Sequence, residues 1–125
     1  MLDDRTTART DINARGFRLW SPENNAFGWR AYLGAHVTDV PPLAAPARYR
    51  QVSGLPPTWI GVGTNDLFYD ESVTYAGRLR DAGVPHTLYL VPGAYHGFDR
   101  VEPWTAAARA FRRARMKVLH DTLRG

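Results

Sequence analysis

Two short apolar runs separated by one helical pattern constrain the fold of this chain more than any other feature. The first run covers residues 58–62 and the second covers residues 86–91. Apolar side chains recur with helical spacing between the runs, and Gly83 and Pro85 mark where that helix stops. A strand, a helix and a second strand of these lengths predict parallel pairing through a right-handed crossover. We therefore expect an α/β fold.

The helical elements of the second half follow from the same pattern. Asp70 is expected to cap the crossover helix, and Pro103 is expected at the first position of a final helix. The apolar stripe of that final helix is predicted to comprise Trp104, Ala107, Ala108, Phe111, Val118 and Leu119. Residues 58–125 thus predict a β-α-β-α unit.

The first 57 residues contrast with that unit. Residues 1–25 carry no sustained strand or helix period, and five of the nine prolines fall within residues 35–57. A short helix is predicted where Asn24 and Asn25 can cap it and Gly34 can end it. We therefore expect residues 1–57 to be mostly loop with one short helix, within a single domain that spans 1–125.

A sheet of about two parallel strands would be incomplete as a stand-alone domain. It would leave one strand edge unpaired and would expose apolar side chains that a larger sheet normally covers. We therefore expect this chain to be the C-terminal portion of a larger α/β sheet, with crossover and C-terminal helices.

Composition limits the classes of protein to which the chain can belong. The 125 residues are 44% apolar, which is enough for a packed core, and they include no cysteine. Thiolate catalysis and cysteine-based zinc sites are thereby excluded. No run approaches the roughly 18 to 20 apolar residues of a membrane span, and the start lacks an apolar leader. We expect a cytoplasmic protein.

The net charge of +4 is concentrated near the C-terminus of the chain. Six basic residues lie on the predicted final helix: Arg109, Arg112, Arg113, Arg115, Lys117 and Arg124. No aromatic residues are interleaved with them in the manner of a nucleic-acid-binding module. We expect a solvated helix face and no nucleic-acid partner.

Two residues with acid–base chemistry follow the two predicted strands. Asp66 lies on the loop after the first strand, and His96 lies after the second, between Gly93 and Gly97. The carboxyl ends of parallel strands meet at one edge of a sheet, where open α/β proteins place catalytic groups. An aspartate that orients a histidine is two thirds of a serine hydrolase triad. Asp66 and His96 are therefore our candidate catalytic residues.

Structural roles are an alternative to catalysis for the acidic residues that follow the first strand. Asp66, Asp70 and Glu71 are clustered before a helix, where carboxylates most often form turns or cap the helix. The triad interpretation also needs a nucleophile, and no Gly-x-Ser-x-Gly turn occurs in the sequence. The remaining histidines, His36, His86 and His120, lack metal-ligand spacing, so we expect no metal and no cofactor.

Several segments in order resemble one family over nearly the whole chain. The most specific are residues 54–63 (GLPPTWIGVG), 66–71 (DLFYDE), 82–85 (AGVP) and 92–98 (PGAYHGF). Together they resemble the C-terminal half of the hormone-sensitive-lipase-like carboxylesterases, which are α/β hydrolases. The resemblance implies that Asp66 is the acid of a Ser-Asp-His triad and that His96 is its base. The expected substrate of the complete enzyme is a small-molecule carboxylic ester.

The same resemblance implies that the serine and the oxyanion loop belong to an N-terminal half that this sequence lacks. We therefore expect the isolated chain to be inactive, as a truncated or separately encoded part of such an enzyme. The alternative is a noncatalytic interaction module that uses its exposed sheet edge. Its partner would be a second copy of the chain, giving a homo-oligomer, or a separate N-terminal half.

Overall fold

The structure, a computed structural model, describes residues 1–8 and 17–124. Within these described residues, four α-helices and two strands occur in the order α1 (Pro22–Leu33), β1 (Thr58–Gly63), α2 (Tyr69–Asp81), β2 (His86–Val91), α3 (Phe98–Val101) and α4 (Ala106–Arg124). Short 3-10 helices cover Asp4–Ala8, Gly34–Val37 and Pro46–Arg48.

The two strands pair in parallel, as the sequence predicts. The register runs from Thr58 opposite His86 to Gly63 opposite Val91. Helix α2 connects the strands, and Gly83 follows it with a φ of 71°, a backbone conformation that glycine adopts without strain. The expected α/β fold with two parallel strands is confirmed.

The buried side chains form three clusters. One lies between the end of β2, α3 and α4, and it includes Val91, Tyr95, Phe98, Ala108 and Phe111. The second packs α1 against the following loop through Trp29, Leu33, Val40 and Ala45. The third packs α2 against the β1 side of the sheet through Val52, Leu79 and Val84. The loop-rich first part is thereby packed against the strand–helix unit.

Helices α1 and α2 begin at positions that differ from those predicted. The Ser21 hydroxyl accepts a hydrogen bond from the Asn24 backbone N–H at 3.2 Å, so α1 starts at Pro22 and Asn25 is fully buried within it. Asp70 lies in the first turn of α2 and does not cap it, because the helix begins one residue earlier, at Tyr69. The predictions of Asn24–Asn25 and Asp70 as caps are therefore wrong.

The final helix also starts later than predicted, and its buried face is shorter. Pro103 lies in the preceding turn, since the Thr105 hydroxyl accepts the Ala108 N–H at 3.2 Å and α4 starts at Ala106. Of the six predicted stripe residues, only Ala108 and Phe111 are buried. The second half of α4 extends past the packed part of the chain, which leaves its apolar side chains exposed.

Candidate active site

Asp66 and His96 lie next to each other at the carboxyl edge of the sheet. The Asp66 Oδ2 and His96 Nδ1 atoms are 3.0 Å apart, within hydrogen-bond distance. Asp66 follows β1 and His96 follows β2, so parallel pairing brings the two loops together across 30 residues of sequence. The structure thus brings together both residues that the sequence singled out.

Backbone hydrogen bonds join the two loops that carry these residues. The Thr64 N–H donates to the Val91 carbonyl at 3.0 Å, and the Asn65 N–H donates to the Ala94 carbonyl at 2.9 Å. In the other direction, the Gly93 N–H donates to the Thr64 hydroxyl at 2.8 Å. These bonds continue the strand pairing past the end of the sheet and fix the spacing between the loops.

The Asp66 carboxylate is also held by the oxygen that does not contact His96. Its Oδ1 atom accepts a hydrogen bond from the Phe68 backbone N–H at 3.0 Å, while Oδ2 faces the imidazole. The Asp66 side chain is only 9% exposed, and the His96 side chain is 40% exposed. The pair therefore has a buried, oriented acid and an imidazole that solvent or a ligand can reach.

Aromatic side chains surround the His96 imidazole. The Phe68 ring meets it in a T-shaped arrangement at 5.3 Å, and the Trp20 ring lies tilted against it at 5.9 Å between centroids. No sequence pattern predicts the contact with Trp20, because Trp20 lies 76 positions before His96 in a segment without periodicity.

A cleft of about 430 Å³ opens beside the pair. Gly61 and Gly63 of β1 form one wall, and apolar side chains that include Leu19, Phe98 and Phe111 form much of the rest. Among the described residues that line this cleft, none is a serine, threonine or cysteine. The described lining therefore combines apolar side chains with the charged residues Asp99 and Arg100 beside the imidazole, and it contains no aliphatic hydroxyl nucleophile.

A larger cleft, of about 740 Å³, lies between the N-terminal 3-10 helix and α2, away from His96. Three of the four arginines that line it are engaged. Arg5 binds Asp3 at 2.7 Å, Arg48 binds Asp4 at 2.6 Å, and Arg78 donates to the carbonyl oxygens of Ala47 and Tyr49. Size therefore does not identify the candidate site, and we assign it to the smaller cleft beside Asp66 and His96.

The three serines have other roles in the structure. Ser21 caps α1, Ser72 is buried within α2, and Ser53 accepts a hydrogen bond from the Gln51 side chain. Within residues 1–8 and 17–124, no three carboxylate or imidazole groups are close enough together to hold a metal ion. No described helix is both long and apolar enough to cross a membrane.

Comparison with known families places this geometry in context. A family model described as the alpha/beta hydrolase fold matches residues 1–100. The chain belongs to the alpha/beta hydrolase fold family. Human arylacetamide deacetylase-like 4 is 36% identical to it over 84 residues, which cover 66% of this chain and 20% of that relative.

Solved alpha/beta hydrolases superpose closely on the chain. The esterase LipW from Mycobacterium marinum has a TM-score of 0.83 and 34% identity, covering 98% of this chain and 38% of LipW. A bacterial heroin esterase has a TM-score of 0.71 and 32% identity, covering 88% of this chain and 36% of that esterase. A hormone-sensitive lipase from a metagenome library supports the fold alone, at 24% identity and a TM-score of 0.77.

These matches confirm the predicted relationship to the hormone-sensitive-lipase-like carboxylesterases. The chain spans about a fifth of the length of its human relative and 38% of the length of LipW. The chain is therefore an esterase- and lipase-like member of the alpha/beta hydrolase fold family that covers only part of the length of its relatives.

Proposed function

We propose that Asp66 and His96 are the acid and the base of a serine carboxylesterase. The observation that carries the proposal is the 3.0 Å contact between Asp66 Oδ2 and His96 Nδ1 beside a cleft of about 430 Å³. Such a contact holds Nδ1 as the protonated nitrogen, which leaves Nε2 as the proton acceptor. His96 Nε2 makes no hydrogen bond to any described residue, so it is free to take up that role.

The chemistry assigned to the pair is acyl transfer through serine. Nε2 of His96 would accept the serine proton as the hydroxyl oxygen attacks the ester carbonyl, and would then donate that proton to the departing alcohol. Water would repeat the sequence on the acyl-enzyme, which releases the carboxylic acid and regenerates the serine. Asp66 would stabilise the imidazolium ion formed in each half-reaction.

The serine and the oxyanion donors must come from outside the described residues. We therefore predict that the 125-residue chain alone does not hydrolyse esters. Incubation of the purified chain with an activated acetyl or butyryl ester should give no turnover above the rate of the buffer. Turnover that His96→Ala abolishes would mean that a second nucleophile exists, which would contradict the proposed mechanism.

A graft into a solved relative tests the proposed roles directly. This chain would replace the segment of LipW with which it aligns. The replacement is feasible because the alignment covers 98% of this chain. The chimera should hydrolyse an activated acetyl ester. His96→Ala should lower its kcat by about a million-fold, and Asp66→Asn by about ten-thousand-fold, as in serine hydrolase triads.

His120→Ala is the matched control for the graft. Like His96, His120 has a carboxylate beside it, since its Nδ1 atom lies 3.3 Å from Asp121 Oδ1. His120 is exposed on α4 and does not line the cleft beside His96. Its substitution should leave kcat unchanged. A folded, active chimera that tolerates His96→Ala would contradict the assignment of His96 as the base.

A noncatalytic interaction module is the second candidate function. Its support is the two-stranded sheet of the described chain, in which the outer edge of β1 has no partner strand. Such an edge can pair with a second copy or with a separate N-terminal half. Measurement of molecular mass in solution tests this, and a monomer that binds no hydrophobic dye would count against it.

A further inference from the structure

The indole ring of Trp20 belongs to a three-ring cluster around the proposed base. Trp20 lies 5.9 Å from the His96 ring and 6.5 Å from the Phe68 ring, and Phe68 lies 5.3 Å from His96. Each of the three rings therefore packs against the other two. Trp20 comes from the segment before α1, so the cluster connects the first part of the chain with both loops at the sheet edge.

The Asp66 contact alone does not fix the orientation of the imidazole. It holds the ring at one atom, Nδ1, and the side chain is 40% exposed, which leaves room for the ring to swing. The rings of Phe68 and Trp20 both contact the imidazole and limit that movement. Their planes make angles of 81° and 43° with the plane of the imidazole. The two aromatic contacts supply the constraints that a single hydrogen bond lacks.

The backbone before Trp20 is strained in a way that presents the indole to this cluster. Leu19 has a φ of 65°, a left-handed conformation that is strained for a residue other than glycine. Its carbonyl accepts a hydrogen bond from the Asn24 side chain at 3.3 Å, which holds the turn. Beyond the turn, the indole reaches Gly28 of α1, where a Cβ atom would lie 3.5 Å from Trp20 Cζ2.

Hydrogen bonding to the indole ring does not account for its position among the described residues. The indole Nε1 atom is buried and has no hydrogen-bond partner among the described residues. A buried tryptophan normally satisfies this donor, so its position is set by ring packing. The turn at Leu19 is strained and the indole N–H is unsatisfied, so both features cost stability. The chain accepts both costs at the position where the indole ring packs against His96 and Phe68.

We infer that Trp20 is a positioning residue for His96. It holds the imidazole in the orientation in which Nδ1 faces Asp66 and Nε2 stays available in the cleft. This inference rests on the proposed role of His96 as the base. A purely structural Trp20 would contribute to the stability of the chain and would leave the protonation pattern of His96 unchanged.

The side-chain nitrogen spectrum of His96 distinguishes these roles in the 125-residue chain itself. In a ¹⁵N-labelled sample in which the imidazole is neutral, His96 should be mainly the Nδ1–H tautomer. Trp20→Leu should lower the ratio of the Nδ1–H to the Nε2–H tautomer by about twofold to tenfold, the range that one aromatic contact confers. Trp20→Phe keeps a ring but a smaller one, so its ratio should lie between those of wild type and Trp20→Leu.

Trp104→Ala is the matched control, because Trp104 is a 68% exposed tryptophan outside the three-ring cluster. It should leave the ratio unchanged. A Trp20→Leu chain with native amide dispersion and an unchanged ratio would overturn the inference. Should Trp20→Leu unfold, Trp20→Phe decides: a ratio equal to wild type with reduced stability overturns the inference, and a partial fall supports it.

Failure of the proposed function gives a different result. A wild-type chain in which His96 is mainly the Nε2–H tautomer would refute the Asp66–His96 pair as an acid–base unit. A wild-type Nδ1–H tautomer that is insensitive to Trp20 would refute the positioning role alone.

Discussion

Gly63 packs directly beneath the carbonyl group of Ala94, so that a Cβ atom on Gly63 would lie 2.1 Å from that oxygen. Gly63 is the last residue of β1, three positions before Asp66, and Ala94 lies two positions before His96. The close approach of these two residues is what allows the loops of the proposed acid and base to meet.

Gly63→Ala should separate the two loops. The backbone cannot accept a methyl group at that distance, so the loops must shift, which we expect to cost about 1–3 kcal/mol of unfolding free energy. The shift should also lengthen the Asp66–His96 contact. Urea unfolding measures the first effect, and the tautomer ratio of His96 measures the second.

Gly77→Ala is the control for that substitution. Gly77 lies within α2, and the nearest atom to its Cβ position would be the Arg80 side chain, at 4.0 Å. Alanine should raise the unfolding free energy here by about 0.5–1 kcal/mol, because glycine is a poor helix former. If Gly63→Ala behaved like Gly77→Ala, the close contact with Ala94 would not exist in solution.

Asp4→Asn should destabilise the N-terminal segment. Both Asp4 oxygens accept hydrogen bonds from Arg48, at 2.6 and 2.8 Å, and this bonding lowers the pKa of Asp4 below its usual 3.8. We expect a loss of about 1 kcal/mol at neutral pH. The contribution of a carboxylate with a lowered pKa is present above pH 3.8 and is lost as the pH falls through the lowered value, so the difference should vanish there.

Asp81→Asn provides the comparison for Asp4. Asp81 also binds an arginine, Arg80, but both side chains are about 70% exposed. An exposed pair of this kind contributes little, so the unfolding free energy should change by less than about 0.5 kcal/mol. Equal effects from the two substitutions would show that the Asp4–Arg48 pair has no special role.

Glu71→Gln should change how stability depends on pH. Glu71 accepts the Leu2 N–H and the Thr6 hydroxyl, each at 2.6 Å, and burial raises its pKa above the usual 4.5. The folded chain therefore binds the Glu71 proton more tightly than the unfolded chain does. The stability that this provides is fully present below pH 4.5 and is lost as the pH rises through the raised value.

Glutamine cannot ionise, so it should remove this loss. Urea unfolding between about pH 4 and pH 8 should show wild type losing stability relative to Glu71→Gln as the pH rises. The Asp4 transition, which has the opposite sign, lies below this range, because the pKa of Asp4 is lowered from 3.8. A constant difference between wild type and Glu71→Gln would contradict the burial of a titrating carboxylate.

Turn residues explain why parts of the fold could be predicted from the sequence. Strand β2 was predicted with the observed bounds, His86–Val91, because Gly83 and Pro85 interrupt the helix before it. The helix starts could not be predicted in the same way. Several side chains compete to cap each helix, and the geometry that selected Ser21 over Asn24 depends on how the chain enters α1.

The candidate site also contains residues that could be predicted from the sequence and one that could not. Asp66 and His96 could be predicted to lie close together, since each follows one of two paired strands. Glu71 belongs to the acidic cluster before the helix that could also form turns or caps, and its carboxylate accepts hydrogen bonds from Leu2 and Thr6. Trp20 could not be predicted, because its contact with His96 depends on a strained turn at Leu19 that no local pattern indicates.

Phe111→Ala should test how α4 is attached to the rest of the chain. The Phe111 ring is 7% exposed and lies 5.2–5.9 Å from the rings of Phe98, Trp59 and Tyr89. Removal of the Phe111 ring should lower the unfolding free energy by about 3–5 kcal/mol, because the substitution leaves a cavity among these three rings. Leu123→Ala, on the same helix but 77% exposed, should change stability by less than about 0.5 kcal/mol. Urea unfolding of both variants measures the difference, and a large loss for Leu123→Ala would show that the second half of α4 is covered in solution.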